Sequence, residues 1–367
     1  MNRHLSVAAL AMIALAGCDK PVPAPVTIQV SREIAILPFA PSIKGRDGGF
    51  STKIGERSAW VFGDTILAAP AVDGLSWRSS TFATTTDLDA SDGITGLDEP
   101  LDANGAPGEF LPFTAAEAAY NEAHRGDACS AGSDCGARFA LWPGPLVTMG
   151  TSTVLFYAKI DARPGDFNFK GIGSGVATWD GQSPPVRAVV DASAADPHVL
   201  FAEDPFHEVA GALLVNDLVY AYFCRLDFVV HVCRIGRAPF TSVAQPNAWS
   251  FYDGSAWVAD FKEARVVMQG APALTVHFSP HLGKYLAIFS TPLGNTLELR
   301  VADAPEGPWS NSKVFHVGQA PASKNAWDYA GVGHAEYARE GGLVEYVTYY
   351  RPGDWSGEMR LVEVTLK

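Results

Sequence analysis

Two aspartates, each beside glycine, are the residues in this chain best spaced to do chemistry together. Gly45-Arg46-Asp47-Gly48-Gly49-Phe50-Ser51 is followed, after a turn at Gly55-Glu56, by Trp60-Val61-Phe62-Gly63-Asp64-Thr65. The pattern reads as a β-hairpin, with Asp47 just before its first strand and Asp64 at the end of the strand Ser58–Phe62. Paired carboxylates suit cleavage of a glycosidic bond. One protonates the leaving oxygen, while the other activates water or attacks the anomeric carbon, and flanking glycines let a ligand approach closely. Asp and Gly also dominate turns, so a turn-forming role accounts for the same pattern.

Other polar residues open later segments: Asp204 and His207, then His281, then His334 and Glu336. Solvated loop carboxylates and core histidines are the plain readings of these. As members of one site, Glu336 would serve as the acid or as a tuner of its partner's pKa. Arg46, His281 and His334 would contact substrate. Trp142, with Trp77 and Trp327 in turn-rich segments, offers a flat face for a sugar ring. Several familiar sites are missing from the sequence: a phosphate-binding Walker loop, a dinucleotide fingerprint and a Gly-x-Ser-x-Gly elbow. His334-Ala335-Glu336 matches half of a zinc-deaminase signature, and the Pro-Cys-x-x-Cys half is absent.

The elements that must position these residues are strands. Short β-rich runs alternate with Gly, Pro, Asp and Asn, and the chain carries 35 Gly and 25 Pro. The one helical stretch is Thr114–His124, with Thr114 and Glu117 spaced as a capping box. The runs fall into five units of about seventy residues, each of three or four strands, which points to an all-β, five-bladed β-propeller. A long sandwich satisfies the same spacing. In a propeller the innermost strands line a central funnel, so residues from distant units converge there. Thr27–Ile36 would close the ring as an outer strand on the last unit. The fifth unit is expected to begin with a strand at Gly333–Tyr337.

Residues 1–17 form a short basic start and an apolar run ending in Leu15-Ala16-Gly17-Cys18, which resembles a bacterial lipobox. That resemblance implies cleavage before Cys18, lipidation of its thiol and a stable membrane anchor. Residues 18–26 would be a Pro-rich tether, and residues 27–367 the folded domain. The expected location is the bacterial cell envelope, periplasmic or outer surface. With 27 basic and 40 acidic residues the net charge is −13, which argues against a nucleic-acid partner. Removing Cys18 from the five cysteines leaves four. Cys129 and Cys135 can close a short loop. Cys224 and Cys233 can pair across a hairpin, but direct opposition puts the turn at Phe228-Val229, where Leu226-Asp227 is the better turn sequence. Neither spacing matches a zinc site. No cofactor is expected, although an oxygen-rich funnel would accept a structural calcium ion. A monomer is expected.

The opening hairpin resembles the first motif of domain-of-unknown-function family 4185, an Asp-Gly followed by a strand ending in Phe-Gly-Asp-Thr. Ser279-Pro-His-Leu-Gly-Lys-Tyr-Leu, Ala304-Pro-Glu-Gly-Pro-Trp-Ser and Tyr329–Glu336 with Tyr346-Val-Thr-Tyr resemble its later segments, so the likeness runs from Ile34 to the C-terminus. The family is similar to five-bladed furanosidase propellers, and some members are endo-acting hydrolases of D-arabinan. The resemblance implies a glycoside hydrolase acting on a polysaccharide, with Asp47 and Asp64 as its carboxylates. Asp204 and Glu336 compete for the place of a third. The segment Asp127–Cys135 and the cysteines of the third unit depart from the pattern. A non-catalytic glycan- or protein-binding propeller is the alternative.

Overall fold

The computed structural model describes residues 21–126, 129, 134–165, 167–202, 206, 208–228, 230–321 and 326–367. The apolar leader, Cys18, Asp204 and His207 lie outside the described residues. The strand β1 (Ile28–Ile36) precedes the first sheet, which holds β2 (Ile43–Ile54), β3 (Arg57–Leu67), β4 (Trp77–Arg78) and β5 (Thr81–Thr85). The second holds β6 (Arg138–Met149), β7 (Ser152–Ala162), β8 (Phe169–Trp179) and β9 (Val186–Arg187). In the third are β10 (Val209–Val215), β11 (Leu218–Asp227), β12 (Val230–Pro239), β13 (Ser250–Tyr252), β14 (Trp257–Val258) and β15 (Val266–Gly270). The fourth is β16 (Leu274–Ser279), β17 (Lys284–Ser290), β18 (Thr296–Ala302) and β19 (Lys313–Val317). The fifth is β20 (Tyr329–Gly333), β21 (Val344–Gly353) and β22 (Ser356–Leu366), and β1 completes it.

The innermost strands β2, β6, β10, β16 and β20 each pack against the next, and β20 returns to β2. The five sheets therefore form a five-bladed β-propeller. A sheet of this kind has two faces to bury, and the ring supplies a neighbour for each. Five hydrophobic clusters result, each spanning one junction between adjacent blades. Trp60 and Phe62 of blade one, for example, pack with Tyr346, Met359 and Leu361 of blade five. Closure comes from β1, which pairs antiparallel with β22 from Ile28↔Leu366 to Ile36↔Arg360. The N-terminal segment thus completes the C-terminal sheet.

Both expected disulfides are present, Cys129–Cys135 and Cys224–Cys233. Cys224 and Cys233 are directly opposed in the β11–β12 register, so the turn is centred on Phe228, whose φ is +60°. The side-chain link overrides the better turn sequence two residues earlier. The fifth blade departs from the sequence reading. Its inner strand is Tyr329–Gly333, and Ala335–Tyr337 is a turn of 3-10 helix. The inner strand therefore begins four residues before Gly333.

The helix α1 (Ala115–Ala123) has the expected capping box: Thr114 accepts from the Glu117 N–H, and the Glu117 carboxylate accepts from the Thr114 N–H. Glu117 also fixes the helix to blade two, through Lys159 Nζ at 2.6 Å and Arg187 at 2.6 and 3.0 Å. Burial alone would raise the Glu117 pKa, but Arg187 and Lys159 outweigh it and hold the carboxyl down at about 2. A depressed folded-state pKa contributes stability above the ordinary carboxyl range, and that contribution is lost as pH falls through about 2. Replacing Glu117 by Ala leaves buried Arg187 without a carboxylate partner and Lys159 with Asp196 alone, and should cost about 3–5 kcal/mol in urea unfolding at pH 7. The cost should shrink below pH 3, and a pH-independent cost would refute the ion-pair account.

Candidate active site

The two aspartates meet on a distorted hairpin. Arg46 pairs with Thr65 and Gly48 with Phe62, so β3 carries one residue more than β2 between these pairs. This bulge holds Gly63 and Asp64 opposite Asp47, and bulges re-aim side chains beside functional sites. Asp47 is thus inside β2 rather than ahead of it. Gly63 is required here, because a Cβ on it would fall 2.5 Å from Asp47 Oδ1. Gly48 and Gly49 follow with φ of +84° and +87°, a conformation that disfavours side chains.

Neighbouring blades complete the site. Tyr329, the first residue of β20, donates its hydroxyl to Asp47 Oδ2 at 2.8 Å. Trp142 of β6 donates its indole N–H to Asp64 Oδ1 at 2.8 Å. The pair therefore sits between blades five and two, at the mouth where the inner strands begin. Burial is the main influence on both carboxyls and pushes them up, Asp47 to about 6 and Asp64 to about 8. Asp47 is restrained by the Tyr329 hydroxyl and the Asp64 backbone N–H. Asp64 is raised further by the charge of Asp47, against the pull of Trp142 and Arg138. Two close carboxyls in a dry site divide the proton affinity between them, so one is ionised while the other keeps its proton.

Three contributors escaped the sequence reading: Tyr329, Arg138 and Glu109. Tyr329 lies inside a motif segment, but nothing in its neighbours signals a link to Asp47. Arg138 acts electrostatically on Asp64 and lays its guanidinium 4.1 Å from the centre of the Trp77 ring. Glu109 sits in a Pro- and Gly-rich loop, accepts from Ser79 and Ser80, and adds to the proton affinity of Asp64. Its own pKa is raised by burial.

Four expected site residues lie elsewhere. Arg46 is turned into blade one, fully buried, stacked 3.6 Å from the Phe62 ring centre and paired with Glu99 at 2.7 Å. It cannot touch substrate without leaving that ion pair. Glu336 accepts from Ser51 at 2.5 Å and Ser58 at 2.8 Å, roughly 10 Å or more down the hairpin from Asp47. His334 is buried in the same network, with Nδ1 2.6 Å from Ser51 Oγ and Nε2 2.8 Å from Thr348 Oγ1. Burial drives its pKa down to about 3, so it is neutral. His281 is exposed in the β16–β17 turn, at the opposite mouth. That mouth also holds a cavity of about 400 Å³, lined by Thr52, Thr148, Asn216, His277 and Tyr285 among others, remote from the aspartates. Among the described residues no three His, Cys, Asp or Glu side chains form a metal-ligand group.

The molecule is a five-bladed propeller with a pair of buried carboxyls at one mouth. Residues 40–352 match the family model described as "Domain of unknown function (DUF4185)", and the chain belongs to that family. No curated protein matches the chain. Among solved structures, a putative hydrolase from Bacteroides ovatus ATCC 8483 is similar at a TM-score of 0.56 and 12% identity, over 88% of this chain and 87% of that one. The RS223 Beta-xylosidase is similar at a TM-score of 0.50 and 12% identity, over 91% and 94%. At such identities the likeness is one of fold.

Tyr329→Phe should raise the Asp47 pKa further by removing a donor to its anion, read by carboxyl-carbon NMR titration. Glu336→Gln should leave both aspartate titrations in place while lowering stability by about 1–3 kcal/mol. An aspartate titration that moves in Glu336→Gln and stays fixed in Tyr329→Phe would reverse these assignments.

Proposed function

We propose that this protein hydrolyses glycosidic bonds of a polysaccharide at the Asp47–Asp64 mouth. The observation that carries the reading is the pair itself: two buried carboxyls on one bulge with proton affinities driven apart. Asp64, the group that keeps its proton, donates it to the leaving oxygen. Asp47, ionised and held by Tyr329 and the Asp64 N–H, activates a water or attacks the anomeric carbon. Trp142 orients the Asp64 carboxyl. Glu109 and Arg138 set the field around it. Glu336 has no part in the chemistry. The propeller fold, shared with a Beta-xylosidase, supports the reaction class. The motif resemblance supports a furanoside such as arabinan, and the lipobox supports anchoring at Cys18 in the cell envelope.

Release of reducing ends from a panel of polysaccharides including arabinans tests the proposal. Asp47→Asn and Asp64→Asn should each lower the rate by roughly 10²–10⁴-fold. Unchanged activity in both would overturn the site. The pH profile should be bell-shaped between limbs near 6 and 8. The acid limb marks protonation of the base Asp47, and the alkaline limb marks loss of the proton from the acid Asp64. A profile flat from pH 5 to 9 would contradict this division of roles.

A further inference from the structure

The face that holds the aspartates is ringed by exposed apolar tips. In every blade the strand next to the inner one runs back toward this mouth, so the following turn stands on the same face as Asp47. Four of these turns present a large apolar residue at positive φ. They are Phe167 in β7–β8, Phe228 in β11–β12, Leu293 in β17–β18 and Trp355 in β21–β22, with φ between +54° and +60°. Their exposures are 68%, 94%, 65% and 82%. A bulky L-residue at positive φ is strained, and a tip as exposed as Phe228 or Trp355 recovers little of that strain through packing. The repetition in four blades makes this a property of the face.

The tips are continuous with the candidate active site. The Trp142 ring, which bonds Asp64, lies 5.1 Å from Phe169 at the start of β8. Phe167, two residues before, stacks at 5.4 Å and 14° on Trp327, which precedes Tyr329. Rings from blades two and five therefore flank the acid pair of blade one, and Phe228 and Trp355 extend the apolar surface outward. Exposed Asp227 and Asp354 adjoin those outer rings. Acidic residues beside apolar tips, on a chain of net charge −13, oppose docking on an anionic bilayer. They leave flat faces and acceptors suited to a neutral polyhydroxylated chain.

We propose that these tips bind an extended, neutral polysaccharide across the catalytic face, stacking on several sugars beyond the bond that is cut. The proposal rests on the carboxylate pair acting on a glycan, and it assigns these tips as the surface that holds the sugars flanking the bond that is cut. The test uses the full chain carrying Asp47→Asn, which keeps the face and removes turnover. Affinity electrophoresis through arabinan, xylan and glucan gels would compare it with versions that add Phe228→Ala/Trp355→Ala or Phe167→Ala/Phe169→Ala. At least one polymer should retard the parent, and each pair of substitutions should weaken binding about tenfold, with thermal unfolding confirming that the variants fold. In the active enzyme, the loss in kcat/KM should grow with chain length.

The outcomes separate the two readings. Tip-dependent retardation without any hydrolysis would sustain this inference and remove the hydrolase. Hydrolysis with equal losses on short and long chains would sustain the hydrolase and overturn this inference. Binding that is indifferent to all four substitutions would overturn it as well. So would tip-dependent co-sedimentation with phosphatidylcholine vesicles, without polymer retardation, because the face would then be a lipid-binding surface.

Discussion

The seam where the ring closes is the constraint on which the candidate site depends. Tyr329 and Asp47 are 282 positions apart in sequence, yet their hydrogen bond is 2.8 Å. That proximity exists because β1 adds to β22 and draws blade five against blade one. Without closure, Asp47 would keep its bulge but lose both its donor and the burial that raises its pKa. The acid pair is therefore a product of the whole ring, although both members come from one hairpin.

Glu336 and His334, both expected at the site, secure the same seam lower down. Glu336 and His334 from blade five receive Ser51 and Ser58 from blade one, and Thr348 holds the far nitrogen of His334. The Trp60 ring lies 4.3 Å from the His334 ring, tilted by 33°. A buried carboxyl with two hydroxyl donors, beside a histidine kept neutral by burial, is a satisfied polar network in the interior. Such networks are costly when only partly paired, which accounts for the polar residues clustered at these positions.

Much of the architecture was legible because it rests on local signals. Strand periodicity, the Thr114–Glu117 capping box and the count of five units each follow from nearest-neighbour chemistry. The places where reading failed are those set by tertiary contact. Arg46 reads as a substrate contact beside a candidate carboxylate, but Glu99 and Phe62 hold it buried. The start of β20 at Tyr329 was hidden because Trp327-Asp328-Tyr329 carries no strand alternation, and the strand is fixed by pairing with β21. The candidate site was half visible: the aspartates and Trp142 by residue type, but Tyr329, Arg138 and Glu109 only through the fold.

The burial of Arg46 is itself part of how Asp47 is presented. Adjacent residues in a strand point to opposite faces. With the guanidinium locked between Phe39, Phe62 and Glu99, the next side chain must project the other way, toward the mouth. Gly48 and Gly49 then turn the strand, and Gly63 leaves room for the carboxylate. A buried arginine held by its own ion pair can thus fix the direction of the carboxylate next to it. The motif Gly-Arg-Asp-Gly-Gly is accordingly a single mechanical unit: anchor, functional group and hinge in consecutive positions. Its second half, Phe-Gly-Asp-Thr, supplies the ring under the anchor, the space for the first carboxylate and the second carboxylate. The spacing between the two halves is set by the register of one bulged hairpin, so the two aspartates are presented as a pair.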